Sequence, residues 1–230
     1  MTARDRLAEG LRNMRRQLRP RSRPEGTDWH RAGVGGRWEE LGALQFGFLR
    51  DQGLKPHHHL LDVGCGSLRG GVHFIRYLEP GHYVGIEKEP DLLAAGRDIE
   101  LTREGLTDRA PRLHATGAFD LDWLPASVSF EFALAQSVLT HLRPELIQLC
   151  IRRVLPRLTP DGVFFASFFE SGDARTVLGP AHGWRDDELL HPRYPLSRLR
   201  ELAADAGAEL EYLGAWGHPR DSKMVALRPR

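Results

Sequence analysis

Residues that can do chemistry stand where apolar runs of this chain stop. Asp62 closes Leu60 and Leu61, Glu87 closes HYVGI, Phe119 and Asp120 follow a run near Arg112 to Thr116, and Gln136 and Ser137 follow FEFALA. Gly64 and Gly66 flank Cys65 immediately after Asp62. Two glycines this close let the backbone turn sharply and approach a ligand. Glu87 lies 21 residues beyond Gly66, the offset at which a carboxylate accepts hydrogen bonds from ribose hydroxyls. A dinucleotide turn wants GxGxxG, but position 69 is Arg, and no GxxxxGK[ST] loop is present. The chemistry implied is recognition of a nucleoside without phosphates.

The elements that position these residues alternate. Strands are predicted over residues 58–63, 82–87, 112–116, 130–136 and 163–170, with helices over 69–78, about 89–106 and 144–158 between them. This rhythm specifies a parallel sheet, and ligands bind such a sheet at the carboxyl ends of its strands. Thr159 to Gly162 read as a turn before the fifth strand. A helix over YPLSRLRELAADAGA leads to strands ELEYLGAW and SKMVALRP, joined by the short GHPRDS turn as an antiparallel hairpin. Upstream, residues 35–54 form a helix with Trp38, Leu41, Gln45, Phe48 and Leu49 on one side. That helix either covers the sheet or, through Gly35, Gly36 and Trp38, closes over a ligand together with Trp29 and His30. From Ser171 to Pro192 the pattern is lost, and an insertion or lid loop is expected over residues 171–192.

With 230 residues, 41% of them hydrophobic, the chain is long enough for one large domain. A formal net charge of +1 argues against a general bias toward nucleic acid or membrane. The charge is uneven: residues 1–31 carry nine arginines against four carboxylates. They read as a basic N-terminal arm and linker, with the main domain over 32–230. The arm's thin apolar stripe, Leu7, Leu11, Met14 and Leu18, fits a solvated helix or a contact to an anionic surface. Cys65 and Cys150 are too few for a disulfide framework. No apolar run reaches the roughly 18 residues that span a bilayer, and a cytoplasmic protein is expected. No metal is expected, because His57, His58 and His59 alternate faces along a strand and no CxxC or HExxH completes a set.

Taken together, DVGCGSLRGG, HYVGIE and FALAQSVLTHL resemble three motifs of the class I S-adenosylmethionine-dependent methyltransferases, and the resemblance extends over about residues 35–230. It implies an α/β fold: a Rossmann-like seven-stranded, mostly parallel sheet with an antiparallel last strand and helices on both faces. It implies S-adenosyl-L-methionine as cofactor, with Gly64, Cys65 and Gly66 beside its methionine part and Asp62 near its amino group. Glu87 would bind the ribose hydroxyls and Lys88 would lie beside the adenosine. Phe119 or Asp120 would meet the adenine, and Gln136 and Ser137 would border the sulfonium. Leu68 departs from the family, many members of which carry a third glycine there.

The resemblance leaves the acceptor open. Enzymes of this fold that methylate base amino groups carry [DNS]-P-P-[YFW] after the fourth strand, where this chain has Gln136, Ser137, Val138 and Leu139. A small polar acceptor follows, such as a sugar or secondary-metabolite hydroxyl, with nucleic acid disfavoured. His141 is the candidate general base, or else orients the loop into the next helix. Trp38, His182, Trp184, Tyr194 and His218 are candidate pocket residues. The alternatives are N-methylation of a small molecule, or a non-catalytic binding protein whose basic arm holds RNA or a partner.

Overall fold

The computed structural model describes residues 28–172, 177–180 and 190–230. Most of the basic arm, His182 and Trp184 lie outside the described residues. Strands β1 (Leu60–Val63), β2 (Tyr83–Glu87), β3 (Arg112–Ala115), β4 (Phe130–Ala135) and β5 (Leu158–Glu170) run parallel in the order β3-β2-β1-β4-β5. Near the carboxyl end of the chain, β8 (Ala208–Ala215) and β9 (Lys223–Pro229) form the expected hairpin, and β9 lies antiparallel against β5. These seven strands have the expected topology. The strand order reverses between β1 and β4, and in such sheets the crevice at that switch point takes the ligand.

Two-residue alternation sorts the side chains into two cores. Leu61, Val63, Val84, Ile86, Ala133, Ala135, Phe164, Ala166, Val225 and Leu227 share one face with Ile147 and Ile151 of helix α5 (Pro144–Val154) and Leu199 and Leu202 of α6 (Leu196–Asp205). Leu60, Tyr83, Phe132, Leu134, Phe165, Met224 and Ala226 share the other with Leu49 of α2 (Trp38–Asp51) and Phe74 of α3 (Gly71–Tyr77). Successive strand residues point to opposite faces. The same parity therefore assigns Asp62, Glu87, Gln136 and Ser167 to the α2 and α3 side, the first three at or beside the ends of their strands and Ser167 within β5.

Several local expectations shift. Helix α4 opens on Pro90, is α-helical to Ala95, winds as a π segment over Gly96–Glu100, and returns to α-helix for Leu101–Arg103. Such segments recur at functional positions, and Glu100 within this one is fully buried. Thr159 to Gly162 form no separate turn: Phe130 pairs with Leu158 and Phe132 with Val163, so β5 bulges against β4. Gly162 permits this, since a Cβ there would lie 2.7 Å from the Phe130 carbonyl oxygen. The supposed lid loop contains a two-stranded hairpin, β6 (Val177–Pro180) with β7 (Leu190–Tyr194), and β7 continues parallel to β5 at Phe169 and Glu170. The packed body also begins upstream of residue 32, with helix α1 (Trp29–Gly33), whose His30 is fully buried. Among the described residues no helix is long and apolar enough to cross a membrane.

Leu68 explains its own departure from a glycine. Its φ is 71°, in the left-handed region, yet its side chain is fully buried in the core under α3 and α4. Left-handed φ costs a non-glycine residue about 1–2 kcal/mol, whereas losing a buried leucine side chain costs about 2–5 kcal/mol. Burial wins. Leu68→Gly is expected to destabilise the protein by about 2 kcal/mol in urea denaturation, despite relieving the backbone.

Candidate functional site

The site assembles where β1, β2 and β4 end. Gly64 and Gly66 have φ of 72° and 57°, and a Cβ on either would lie 2.6 Å from a methyl of Val138 or of Val34, respectively. Glycine is required at both positions to let neighbouring chain pass close to the turn. Glu87 locks that turn. Its Oε2 accepts the Gly66 N–H at 2.9 Å, and its Oε1 accepts the N–H groups of Lys88 at 2.8 Å and Glu89 at 2.9 Å. Burial raises its pKa while these backbone donors lower it, and burial dominates. A carboxylate has about four acceptor positions, so Glu87 retains capacity for a ligand hydroxyl.

Asp62 sits beside it, 4% exposed, and accepts the Tyr83 hydroxyl at 2.7 Å. The register supplies this bond, because Tyr83 pairs with Leu60 and Gly85 with Asp62. A Cβ on Gly85 would lie 3.1 Å from the Tyr83 ring, so glycine there leaves room for the tyrosine to lean over. Burial, opposed by the Tyr83 hydrogen bond and aided by Glu87, pushes the Asp62 pKa up to about 6. Cys65 is buried, and its thiol is held well above its ordinary range by burial and by Asp62 and Glu87, which leaves it inert as a nucleophile.

Next along the edge is a polar cluster that the sequence reading grasped only in parts. Gln136 Oε1 accepts Arg69 Nη2 at 3.0 Å and Gln45 Nε2 at 3.4 Å, while its Nε2 donates to Ser137 Oγ at 2.7 Å and lies 3.3 Å from His218 Nε2. Ser137 has φ of 57° and donates its N–H to Ser167 Oγ at 2.8 Å. Burial, reinforced by Arg69, Arg220 and Arg37, lowers the His218 pKa to about 4, so the ring is neutral at pH 7. Sequence reasoning treated Arg69 only as a break in a glycine spacing and Gln45 as one residue of a helix face, and it passed over Tyr83 and Ser167. Strand parity was the usable signal for Ser167, two residues after Phe165. Nothing local announced Arg69.

Residues 28–37 strap across this edge. Ser67 Oγ donates to the His30 carbonyl at 3.3 Å, and Arg69 Nη1 donates to those of Val34 at 2.7 Å and Gly36 at 3.1 Å. Arg31 grips buried Glu100 through two bonds of 2.8 Å, Arg103 adds a third at 2.9 Å, and Arg103 also pairs with Asp28 at 2.7 Å. Asp28, His30 and Glu100 group closely enough to suggest cation ligands, but two arginines already neutralise the carboxylates. This is a salt-bridged latch. Trp38, 8% exposed, stacks under the Arg31 guanidinium at 4.5 Å and belongs to the latch.

The remaining candidates separate. Phe119 is packed in the core with Leu121 and Leu124 at a φ of 56°, while Asp120 beside it is half-buried and accepts the Asp122 N–H at 2.9 Å. Lys88 places its Nζ 3.2 Å from Glu89. His141 is exposed on the turn Leu139–His141 that follows β4. Tyr194, expected as a pocket residue, is 1% exposed and donates its hydroxyl to the Leu142 carbonyl at 2.7 Å. It anchors the inserted hairpin to the core.

Residues 61–164 match a family described as a methyltransferase domain. The chain is also similar in fold to the 1,6-didemethyltoxoflavin-N1-methyltransferase of Burkholderia thailandensis, solved with 1,6-didemethyltoxoflavin and S-adenosylhomocysteine, at 20% identity over 100% of this chain and 92% of the other, with a TM-score of 0.64. Magnesium protoporphyrin IX methyltransferase from Synechocystis PCC 6803, solved with bound S-adenosylmethionine, matches at 14% identity over 95% and 91%, with a TM-score of 0.59. The CcbJ methyltransferase of Streptomyces caelestis matches at 16% identity over 82% and 89%, with a TM-score of 0.61.

The raised Asp62 pKa has a stability signature. The folded state holds this proton more tightly than the unfolded chain, whose carboxylate titrates near 3.8, so stability falls as pH rises from about 4 to about 6 and is level above that. A proton held roughly a hundredfold more tightly corresponds to about 3 kcal/mol. Asp62→Asn is expected to match the wild type near pH 4 and to exceed it by up to about 3 kcal/mol at pH 7 in denaturant titrations.

Proposed function

We propose that this chain, a class I S-adenosylmethionine-dependent methyltransferase, methylates a hydroxyl oxygen of a small polar molecule such as a sugar or secondary metabolite. The residues at the strand edge fit the cofactor by their chemistry. Asp62, ionised above about pH 6, supplies a negative charge for an ammonium group. Glu87 has acceptor capacity left for a ribose diol, and Gly64 and Gly66 keep a cradle that a Cβ would fill. Bound there, S-adenosylmethionine supplies an activated methyl group on a sulfonium. The protein's remaining task is to align an acceptor in line with that bond, and alignment can supply up to about 7–11 kcal/mol.

The observation that carries the small-acceptor reading is the enclosure of the edge. The strap closes it from the α1 side, and the β6–β7 hairpin extends the sheet at the carboxyl end of β5, beside β4. Gln136 and Ser137 occupy the β4 end where base-methylating relatives carry a proline-rich motif. The similar structures described above include enzymes named for a small molecule, 1,6-didemethyltoxoflavin and magnesium protoporphyrin IX. His141, on the turn leaving β4 at the same edge, is the proposed base for the hydroxyl proton. The likeness to an N1-methyltransferase favours a second reading, transfer to a ring nitrogen, in which no base is needed.

Label from S-adenosylmethionine is expected to enter a hydroxyl-bearing metabolite. His141→Ala is expected to lower kcat by about 10²-fold or more with S-adenosylhomocysteine affinity retained. An unchanged rate removes His141 as base, and label on nitrogen decides for the second reading. Glu87→Ala is expected to weaken S-adenosylhomocysteine at least tenfold in titration calorimetry.

A further inference from the structure

Arg69 is 7% exposed, yet among the described residues no carboxylate hydrogen-bonds to it. Its guanidinium has five N–H donors. Three go to neutral oxygens, the carbonyls of Val34 and Gly36 and the Gln136 side chain, and the buried Nε–H has no acceptor. Elsewhere in this protein, Arg31, Arg37 and Arg97 use that same Nε and Nη2 edge to hold a carboxylate through two bonds. In Arg69 one half of the edge meets Gln136 and the other half meets nothing. A second cation stands close by: Arg220, on the turn between β8 and β9, donates Nη2 to the Gly35 carbonyl at 3.3 Å, and its charge bears on Arg69. His218, on which both charges act, is neutral and adds no charge. Arg37, also near, is already paired with Glu40.

Asp62 supports the Arg69 charge without bonding to it, but the opposing effect of Arg220 is larger. A buried cation whose hydrogen bonds all go to neutral oxygens, with its Nε–H unpaired, is an electrostatic deficit that an anion relieves. Planar two-point contact is the geometry in which a guanidinium meets a carboxylate. We infer that Arg69, supported by Arg220, forms a carboxylate subsite at the transfer site. The inference rests on the methyltransferase reading. Two molecules in that reaction can bring a carboxylate: the amino-acid end of the cofactor, or an acidic acceptor. The strap carbonyls of Val34 and Gly36 take Nη1 of Arg69 and so hold the guanidinium with its Nε and Nη2 edge left to Gln136 and the carboxylate, while Gly35 holds Arg220.

Calorimetry with S-adenosylhomocysteine and with methylthioadenosine, which lacks the amino-acid part, separates the sources. If the carboxylate is the cofactor's, Arg69→Gln weakens S-adenosylhomocysteine at least tenfold, leaves methylthioadenosine unchanged, and Arg69→Lys recovers part of the loss. If it is the acceptor's, S-adenosylhomocysteine binds equally. Labelling of metabolites retained beforehand on an anion exchanger then falls at least tenfold in Arg69→Gln. Equal loss of both nucleosides, or no change in either binding or labelling, overturns the subsite. Thermal melting checks that Arg69→Gln folds; if it does not, the same comparisons are made on Arg220→Gln and Arg69→Lys. Wild-type protein that binds no S-adenosylhomocysteine overturns the methyltransferase reading itself, a result distinct from wild-type binding that Arg69→Gln leaves intact.

Discussion

One buried carboxylate fixes the geometry of everything at the strand edge. Glu87 takes an N–H from Gly66 and two more from the chain that leaves β2, and so ties the turn after β1 to the end of the neighbouring strand. Burying a charge is tolerated when hydrogen bonds to the charged form compensate, and here all three partners are backbone groups that cannot swing away. The neighbouring pair follows the same logic. Parallel register sets Tyr83 against Leu60, Gly85 leaves the ring room, and the hydroxyl reaches Asp62. Strand register has thus become site geometry, without a loop having to find its own shape.

The strap completes the edge from a distance in sequence. Its turn is made by three successive residues in the left-handed region, Gly35, Gly36 and Arg37, and its carbonyls meet arginines contributed from positions 69 and 220. Farther along, Arg31 reaches Glu100, which the π segment of α4 carries. The chain that covers the site is therefore held mainly by charge and hydrogen bonds, in contrast to the apolar packing beneath the sheet.

How much of this the sequence disclosed depends on how local each signal is. The alternation of strands and helices, the terminal hairpin and the placement of Asp62 and Glu87 follow from apolar runs, glycine spacing and one offset, all contained within short windows. Phe119 was ambiguous, because a phenylalanine after a strand reads equally as core or as ligand wall, and its ring is in the core. Tyr194 misled for a related reason: an aromatic residue at the end of a patternless stretch resembles a pocket residue, but the stretch forms β7 and seats the ring. The Thr159 to Gly162 run has turn chemistry, and only the pairing with β4 turns it into a bulge. Arg69, Gln45 and Gln136 meet across the sheet and two helices, a conjunction that no local window contains.

Strand β5 pairs with three neighbours, with β4 from Leu158 to Ala166 and with two others nearer its carboxyl end. Phe164 to Phe168 pair with β9, and only Phe169 and Glu170 pair with β7. The inserted hairpin is thus a graft on the last two rungs of a strand whose other rungs are already committed. The hairpin is therefore tied to the scaffold by two rungs of backbone pairing and by the Tyr194 ring seated in the core, so among the described residues its far strand β6 meets the sheet only through β7.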